Sequence, residues 1–284
     1  MIRAATETPF IHFIHRVELR IAARLLAATA RRFFLSFAAR PVMLLRAPLQ
    51  PLLFLLSYVI AYQIAGQTEV DGANAIGFLY IGALAIDAWG SSVWGSGYAF
   101  QWERHEGTIE ALMLAPTSRV PVILGYGAGQ FAWAIPSQIL GLIAALLLGA
   151  RFDIAHPLVA LLAFSAVYLS SLCLGFAFAG LFILTRQANA MANFLQTPIF
   201  LLAGFIVPRS ALPDWLAAVS VVLPIAHAVD ALRATALTGA SFPDVWRPLL
   251  LCATTCFAFL VIGLWGLKRV EYAAKRLGTL DLTA

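Results

Sequence analysis

Three carboxylates crowd the stretch Glu103-Arg-His-Glu-Gly-Thr-Ile-Glu110, which lies between two long apolar runs. Glu103, Glu106 and Glu110 recur at spacings of three and four, which places them on one helical face. Thr108 is suited to cap a short helix from Ile109 to Ala115, with Gly107 before it and Pro116 to stop it. Glu110 in the first turn suits the positive end of that helix's dipole. Ile109, Leu112 and Met113 then form an apolar patch on a helix that belongs to no crossing. A short rigid helix offering carboxylates and a hydrophobic patch is shaped to seat in a groove of another protein.

Bond-making chemistry has no comparable foothold. A phosphate-cradling P-loop needs Gly-Lys-Ser/Thr, and neither lysine, Lys268 nor Lys275, follows a glycine. His12, His15, His105, His156 and His227 stand at unrelated positions. There is no His-Glu-x-x-His, no Gly-x-Ser-x-Gly and no Asp-rich metal motif. Cys173, Cys252 and Cys256 all fall in apolar runs and read as small hydrophobes. No catalytic or metal-ligating residue is therefore assigned, and a membrane-embedded enzyme lacks its usual signatures.

A second group of polar residues lies inside apolar runs at helical spacing: Asp87, Ser91, Trp94 and Tyr98; Tyr126, Gln130, Trp133 and Ser137; Asn189, Asn193, Gln196 and Phe200. A carboxylate at the centre of a bilayer costs about 2.5 to 3.5 kcal/mol on insertion scales, so Asp87 should face protein, water or an ionic partner. Two roles fit these faces. One is a substrate path lined by Asp87, Ser91, Trp94, Tyr98, Asn193, Gln196 and Phe200, with rings stacking on an amphiphile or sugar and amides bonding it. The other is interhelical glue, favoured for the Tyr126 to Ser137 face.

These residues must be positioned by an integral membrane protein. Of 284 residues 61% are hydrophobic and 12% charged, whereas a soluble domain carries roughly 25% charge. Mean hydropathy is +0.86. Six apolar runs are long enough to cross, near 47–66, 75–99, 120–149, 157–184, 190–207 and 248–267. Six crossings put both termini on one side. That side, with Arg104 and Arg119, Arg186 and the tail, holds fifteen Lys and Arg against four on the other, which orients both termini to the cytoplasm. The net charge of +5 is thus a membrane-face signal, and no soluble part is left to bind nucleic acid.

Residues 1–46 carry eight of the arginines. Phe10, Ile14, Val17, Ile21 and Leu25 run beside Arg16, Arg20 and Arg24, the pattern of an amphipathic helix lying in the headgroup layer. Residues 47–284 then form the six-span domain. Between the fifth and sixth spans, 208–247 is cut by Pro208, Pro213, Pro224 and Pro243 into pieces too short to cross. One helix starts at Pro213-Asp214 and another runs from Ile225 to Leu237, giving an external re-entrant hairpin in which Asp230 and Arg233 are placed to neutralise one another. Trp102, Trp215, Trp246 and Trp265 fall near interfaces and read as membrane anchors. The fold class is all-α integral membrane.

The stretch Glu103 to Ser118 resembles the first cytoplasmic loop of ABC-2 type transporter permeases, the membrane subunits of ATP-driven exporters. Leu202-Ala-Gly-Phe-Ile-Val-Pro208, Leu212-Pro-Asp-Trp-Leu216 and Leu223-Pro-Ile-Ala-His-Ala-Val-Asp-Ala-Leu-Arg233 resemble that family's fifth span and external segment. Within the family the resemblance points towards drug-resistance permeases similar to the daunorubicin type and lipo-oligosaccharide exporters of the nodulation type, without choosing between them. It implies that residues 103–115 are a coupling helix through which Glu103, Glu106, Gly107, Thr108, Glu110, Leu112 and Met113 meet a nucleotide-binding ATPase subunit. It also implies a second permease subunit, ATP and Mg bound only by the ATPase, and export of an amphipathic or lipid-linked substrate across a bacterial cytoplasmic membrane. The competing class is an ion-coupled secondary transporter with Asp87 as proton carrier. Against it, no inverted repeat and no second intramembrane carboxylate is found.

Overall fold

The computed structural model describes residues 7–115, 118–183, 185 and 187–277, with side chains described between 19 and 269 except at Ala47. The side chains of Phe10, Ile14, Arg16, Val17, Lys275 and Arg276, and the whole of Pro116, Thr117 and Arg186, lie outside that description. The described chain is helical apart from a two-residue hairpin, β1 Glu69–Val70 paired antiparallel with β2 Ala73–Asn74. In order the helices are α1 Glu7–Ala38, α2 Pro41–Ile64, α3 Ala75–Gly90 continued by a π-helical stretch Ser91–Gly97, α4 Ala99–His105, α5 Ile109–Leu114, α6 Val120–Leu147, α7 Pro157–Phe182, α8 Ala188–Leu202, α9 Asp214–Ser220, α10 Pro224–Leu237 and α11 Phe242–Leu277.

Prolines open α2, α6, α7 and α10, where a missing N–H is harmless and a fixed φ is already helical. Asn74 caps α3 by accepting from the Gly77 amide at 2.9 Å, and the same oxygen takes the Arg151 amide at 3.3 Å. One side chain thereby fastens the α6–α7 loop to the start of α3.

Among the described residues five helices are long and apolar enough to cross a membrane: α2, α3 with its π extension, α6, α7 and Phe242–Arg269 of α11. Of the most apolar part of the α3 span 83% is buried, against 11% for α11. The α3 span is thus the axis of the bundle. Leu161, Leu162 and Leu169 of α7 and Phe257, Val261 and Ile262 of α11 lie exposed on the outside, where a bilayer supplies acyl chains. Trp215, Trp246 and Trp265 are exposed. Trp102 departs from the anchor reading: it is partly buried and donates from Nε1 to the Trp94 carbonyl at 2.8 Å.

The fifth run departs from expectation as well. Instead of an 18-residue crossing at 190–207, α8 stops at Leu202 after 15 residues, about 22 Å at 1.5 Å per residue. The chain is drawn aside just beyond it by Arg233 of α10. That guanidinium donates to Gly204 O at 2.5 Å, Phe205 O at 3.0 Å and Phe78 O at 3.4 Å, and lies 3.5 Å from the Phe78 ring centre. Gly82 of α3 makes the approach possible, because a Cβ there would run into the Phe205 carbonyl.

The expected Asp230–Arg233 pair is consequently not the one formed. Asp230, on the outer side of α10, pairs with Arg209 from the segment before α9. Arg233 turns inward, where carbonyl dipoles and a ring face compensate a buried cation. The two short helices are present, α9 and α10, and meet at 98° across residues 221–223. The His227 ring bridges the bend, its Nε2 2.8 Å from the Val221 carbonyl.

Removing Arg233 strands three carbonyls, each worth about 1 to 3 kcal/mol when buried without a donor. Arg233→Met is expected to destabilise the detergent-purified protein by about 2 kcal/mol or more in thermal unfolding. Arg209→Ala, which breaks a partly exposed pair, should lose no more than about 1 kcal/mol. Equal midpoints for the two variants would contradict the clasp.

Candidate functional site

The carboxylate cluster folds as a corner. α4 ends at His105, Gly107 reverses the chain at φ +69°, a conformation strained for any residue with a Cβ, and α5 leaves in a new direction. Glu103, Glu106 and Glu110 therefore do not share one face. Glu103 is buried, and its carboxylate accepts from the Arg32 guanidinium of α1, from Tyr126 OH of α6 at 2.7 Å and from Thr108 Oγ1. Arg32 also donates to Tyr126 OH and reaches Glu106 at 3.2 Å. Partial burial works against the Arg32 charge, but Tyr126, Glu103 and Glu106 outweigh it and hold the pKa above the ordinary arginine value.

Thr108 sits at the N-cap position just before α5, but its side chain does not cap the helix. Its hydroxyl turns back to Glu103, bonding both carboxylate and carbonyl. The apolar patch is likewise reversed: Ile109, Leu112 and Met113 pack inward on Phe33, Phe100, Val122 and Ile123 rather than outward. A helix of 6 residues joined to a protein core hides its apolar side there before any partner arrives. The outward surface is His105, Glu106, Gly107, Glu110, Ala111 and Leu114, the last 80% exposed.

Further bonds tie the corner to the bundle. Gln101 Nε2 donates to the Phe182 carbonyl at 2.9 Å at the end of α7. Trp102 holds the π-helical stretch through Trp94, and Arg119 donates to the Met113 carbonyl at 2.6 Å. α1 lies close on α6 because Gly125 and Gly129 leave room for Leu26, Thr29, Ala30 and Phe33. Arg32, Gln101 and Tyr126 were absent from the expected coupling set. The partners of Glu103 stand 71 and 23 residues away, and no local spacing announces them.

One cavity of about 360 Å3 opens among α2, α3, α6 and α8. Of the expected path residues Asp87, Ser91, Trp94, Gln196 and Phe200 line it. Tyr98 does not: i→i+5 winding over Ser91–Gly97 turns fewer degrees per residue than an α-helix, so Tyr98 swings toward Phe182, 6.3 Å between centroids. Asn193 does not either. It is exposed and bonds Asn189 on its own helix at 2.8 Å. Gln130, Trp133 and Ser137, assigned to helix contacts by sequence, stand in the cavity wall with Phe54, Trp89, Arg46 and Gln50.

Residues 24–237 match a family model, that of the ABC-2 type transporter. The chain belongs to the ABC-2 type transporter family. Among relatives it is 30% identical to Nodulation protein J of Sinorhizobium fredii (strain NBRC 101917 / NGR234) over 208 residues, covering 69% of this chain and 75% of that one. It is 29% identical to Nodulation protein J of Rhizobium meliloti (strain 1021) over 198 residues, 67% and 71% of the two chains. ABC-2 permeases are multi-pass transport subunits that work with a separate nucleotide-binding ATPase subunit. The ABC-2 match spans the Glu103 corner, the cavity and the Arg233 clasp alike.

In this ABC-2 chain the buried Glu103 and the exposed Glu110 should respond differently to mutation. A double-mutant cycle on Arg32→Ala and Tyr126→Phe is expected to give a coupling energy of about 0.5 to 3 kcal/mol, because both donate into one carboxylate. Glu110→Gln should stay within about 0.5 kcal/mol of the parent in the same unfolding assay. Additive effects for the first pair would show that the Glu103 node is not a unit.

Proposed function

We propose that this chain is the permease subunit of an ABC exporter that moves an amphipathic or lipid-linked molecule outward through the α2–α3–α6–α8 cavity. The observation that carries the reading is the union of two features. A corner with an exposed acidic rim is hydrogen-bonded into four helices, and two of those, α3 and α6, wall an aromatic cavity. A push on Glu106, Glu110 and Leu114 by an ATPase subunit reaches α1 and α6 through Glu103, α7 through Gln101, and the cavity wall through Trp102 and Trp94. Mechanical input at such a bonded corner moves helices as rigid bodies rather than bending a loop.

ATP and Mg belong to the ATPase subunit in this reading. Both termini lie in the cytoplasm of a bacterium, the corner faces it, and the bent α9–α10 pair is a re-entrant hairpin at the outer face of the inner membrane. A second permease subunit, identical or related, completes the path. Its support is α8: Asn189 and Asn193, bonded to each other, and the ring of Phe194 are exposed, and a polar amide pair turned to acyl chains is less favourable than one packed on a second subunit. The largely apolar cavity wall with a few polar groups suits an amphiphile whose tail lies against Phe54 and Phe200 while its head meets Gln130, Gln196 and Asp87.

Glu110→Lys with Leu114→Asp alters only the outward rim. It is expected to reduce co-purification of the ATPase subunit and substrate-stimulated ATP hydrolysis by tenfold or more, about 1.4 kcal/mol, with the unfolding midpoint unchanged. Normal assembly and coupling in this variant would remove α5 from the interface.

A further inference from the structure

Residues that line the cavity carry hydrogen-bond acceptors that no described residue uses. Gln130 Oε1 is buried without a partner among the described residues, and so is Ser91 Oγ on a residue only 5% exposed; both residues line the cavity, with these oxygens covered in its wall. Asp87 accepts from Gln138 Nε2 at 2.6 Å through Oδ2. Its other oxygen takes no bond from any described residue, and no basic side chain among them lies within 4.0 Å of it. Buried polar groups are ordinarily satisfied, so a cluster of idle acceptors beside an unneutralised carboxylate marks a place for a donor. The π-helical stretch that begins at Ser91 has the same meaning, since such distortions of a helix recur at functional sites.

Four tryptophans, Trp89, Trp94, Trp102 and Trp133, wall the same space. Aromatic faces attract cations, and in a low-dielectric site the attraction is strengthened by desolvation. Among the described residues the cation in the wall is Arg46, which lies in the second turn of α2 and is exposed, with Gln50 Oε1 at 3.2 Å from its Nε. Asp87 is at the thirteenth position of the α3 span, about 18 Å from that span's start. Arg46 is near the end of its span and Asp87 well inside its own.

We infer that the cavity binds a protonated amine carried on an apolar body, the N–H donors bonding Asp87, Gln130 and Ser91 and the rings of Trp94 and Trp133 enclosing the charge. The inference rests on the reading of this cavity as the substrate path and narrows that path to cationic amphiphiles. A neutral polyhydroxylated head would satisfy the acceptors but leave the carboxylate without a counter-charge, and an anionic head would be repelled by it.

Three probes with one tail separate the heads: dodecylamine, dodecyl maltoside and dodecyl sulfate. Each is titrated against the full chain in phosphatidylcholine nanodiscs, read by tryptophan fluorescence, with Trp133→Phe locating the signal. Dodecylamine is expected to bind at least about tenfold tighter than the maltoside, the size of one charge-assisted hydrogen bond. Asp87→Asn should erase that preference, and Gln130→Leu should weaken the amine while sparing the maltoside. Phosphatidylethanolamine added to the discs tests the source: competition makes the amine a lipid headgroup, and no competition makes it a soluble amphiphile. Equal binding of amine and maltoside with Asp87→Asn indifferent would overturn the inference and leave the path in place. No signal from any probe, or one that Trp133→Phe does not change, would overturn the path itself.

Discussion

A single buried carboxylate organises this protein. Glu103 lies where α1, α4 and α6 converge, and an ionised group cannot stay there without donors. Arg32, Tyr126 and Thr108 supply them from three parts of the chain. The consequence is mechanical: an amphipathic helix, a loop corner and a membrane helix become one piece, because moving any of them apart would leave an unpaired charge. Arg233 does the same at the opposite end of the bundle with opposite sign, using carbonyl oxygens of the turn after α8 and of α3.

Between these two anchored ends runs the α3 span, the most enclosed of the crossing helices and the one with a π-helical stretch in its second half. A helix held at one end by Arg233 and at the other by Trp102, with irregular winding between, has a natural site for a change of shape. Ser92, Ser96, Gly95 and Gly97 let that stretch lie close on Gly127 of α6 and Gly175 of α7. Ser91 and Trp94 face the cavity from the same turns. In the proposed coupling, work delivered at the corner would arrive next to the cavity wall, not across the full width of the membrane.

Much of this was legible in the sequence, and the remainder was hidden for identifiable reasons. Apolar run lengths marked the crossing helices α2, α3, α6, α7 and α11 within a few residues, and Pro213 and Pro224 marked the two short helices, since both rest on local physics. Helical spacing placed Asp87, Ser91 and Trp94 on one face correctly. It failed for Tyr98, because a 3.6-residue period does not hold through π winding. It failed for Ile109, Leu112 and Met113, because spacing says which residues share a face and not whether that face looks inward or out. The neighbouring charges Asp230 and Arg233 invited a local pair, yet each found a better partner far away in the chain. Family resemblance placed the corner; it did not show that Arg32 and Tyr126 hold it.

The central claim is that this chain transmits work and does not generate it. The direct measurement is reconstitution of the purified protein into liposomes, with and without its P-loop ATPase subunit, followed by uptake of a fluorescent amphiphile driven by ATP. The account predicts ATP-dependent movement only when both proteins are present, and none with a proton gradient in place of ATP. Transport by this chain alone, under a proton gradient and without any ATPase, would contradict it.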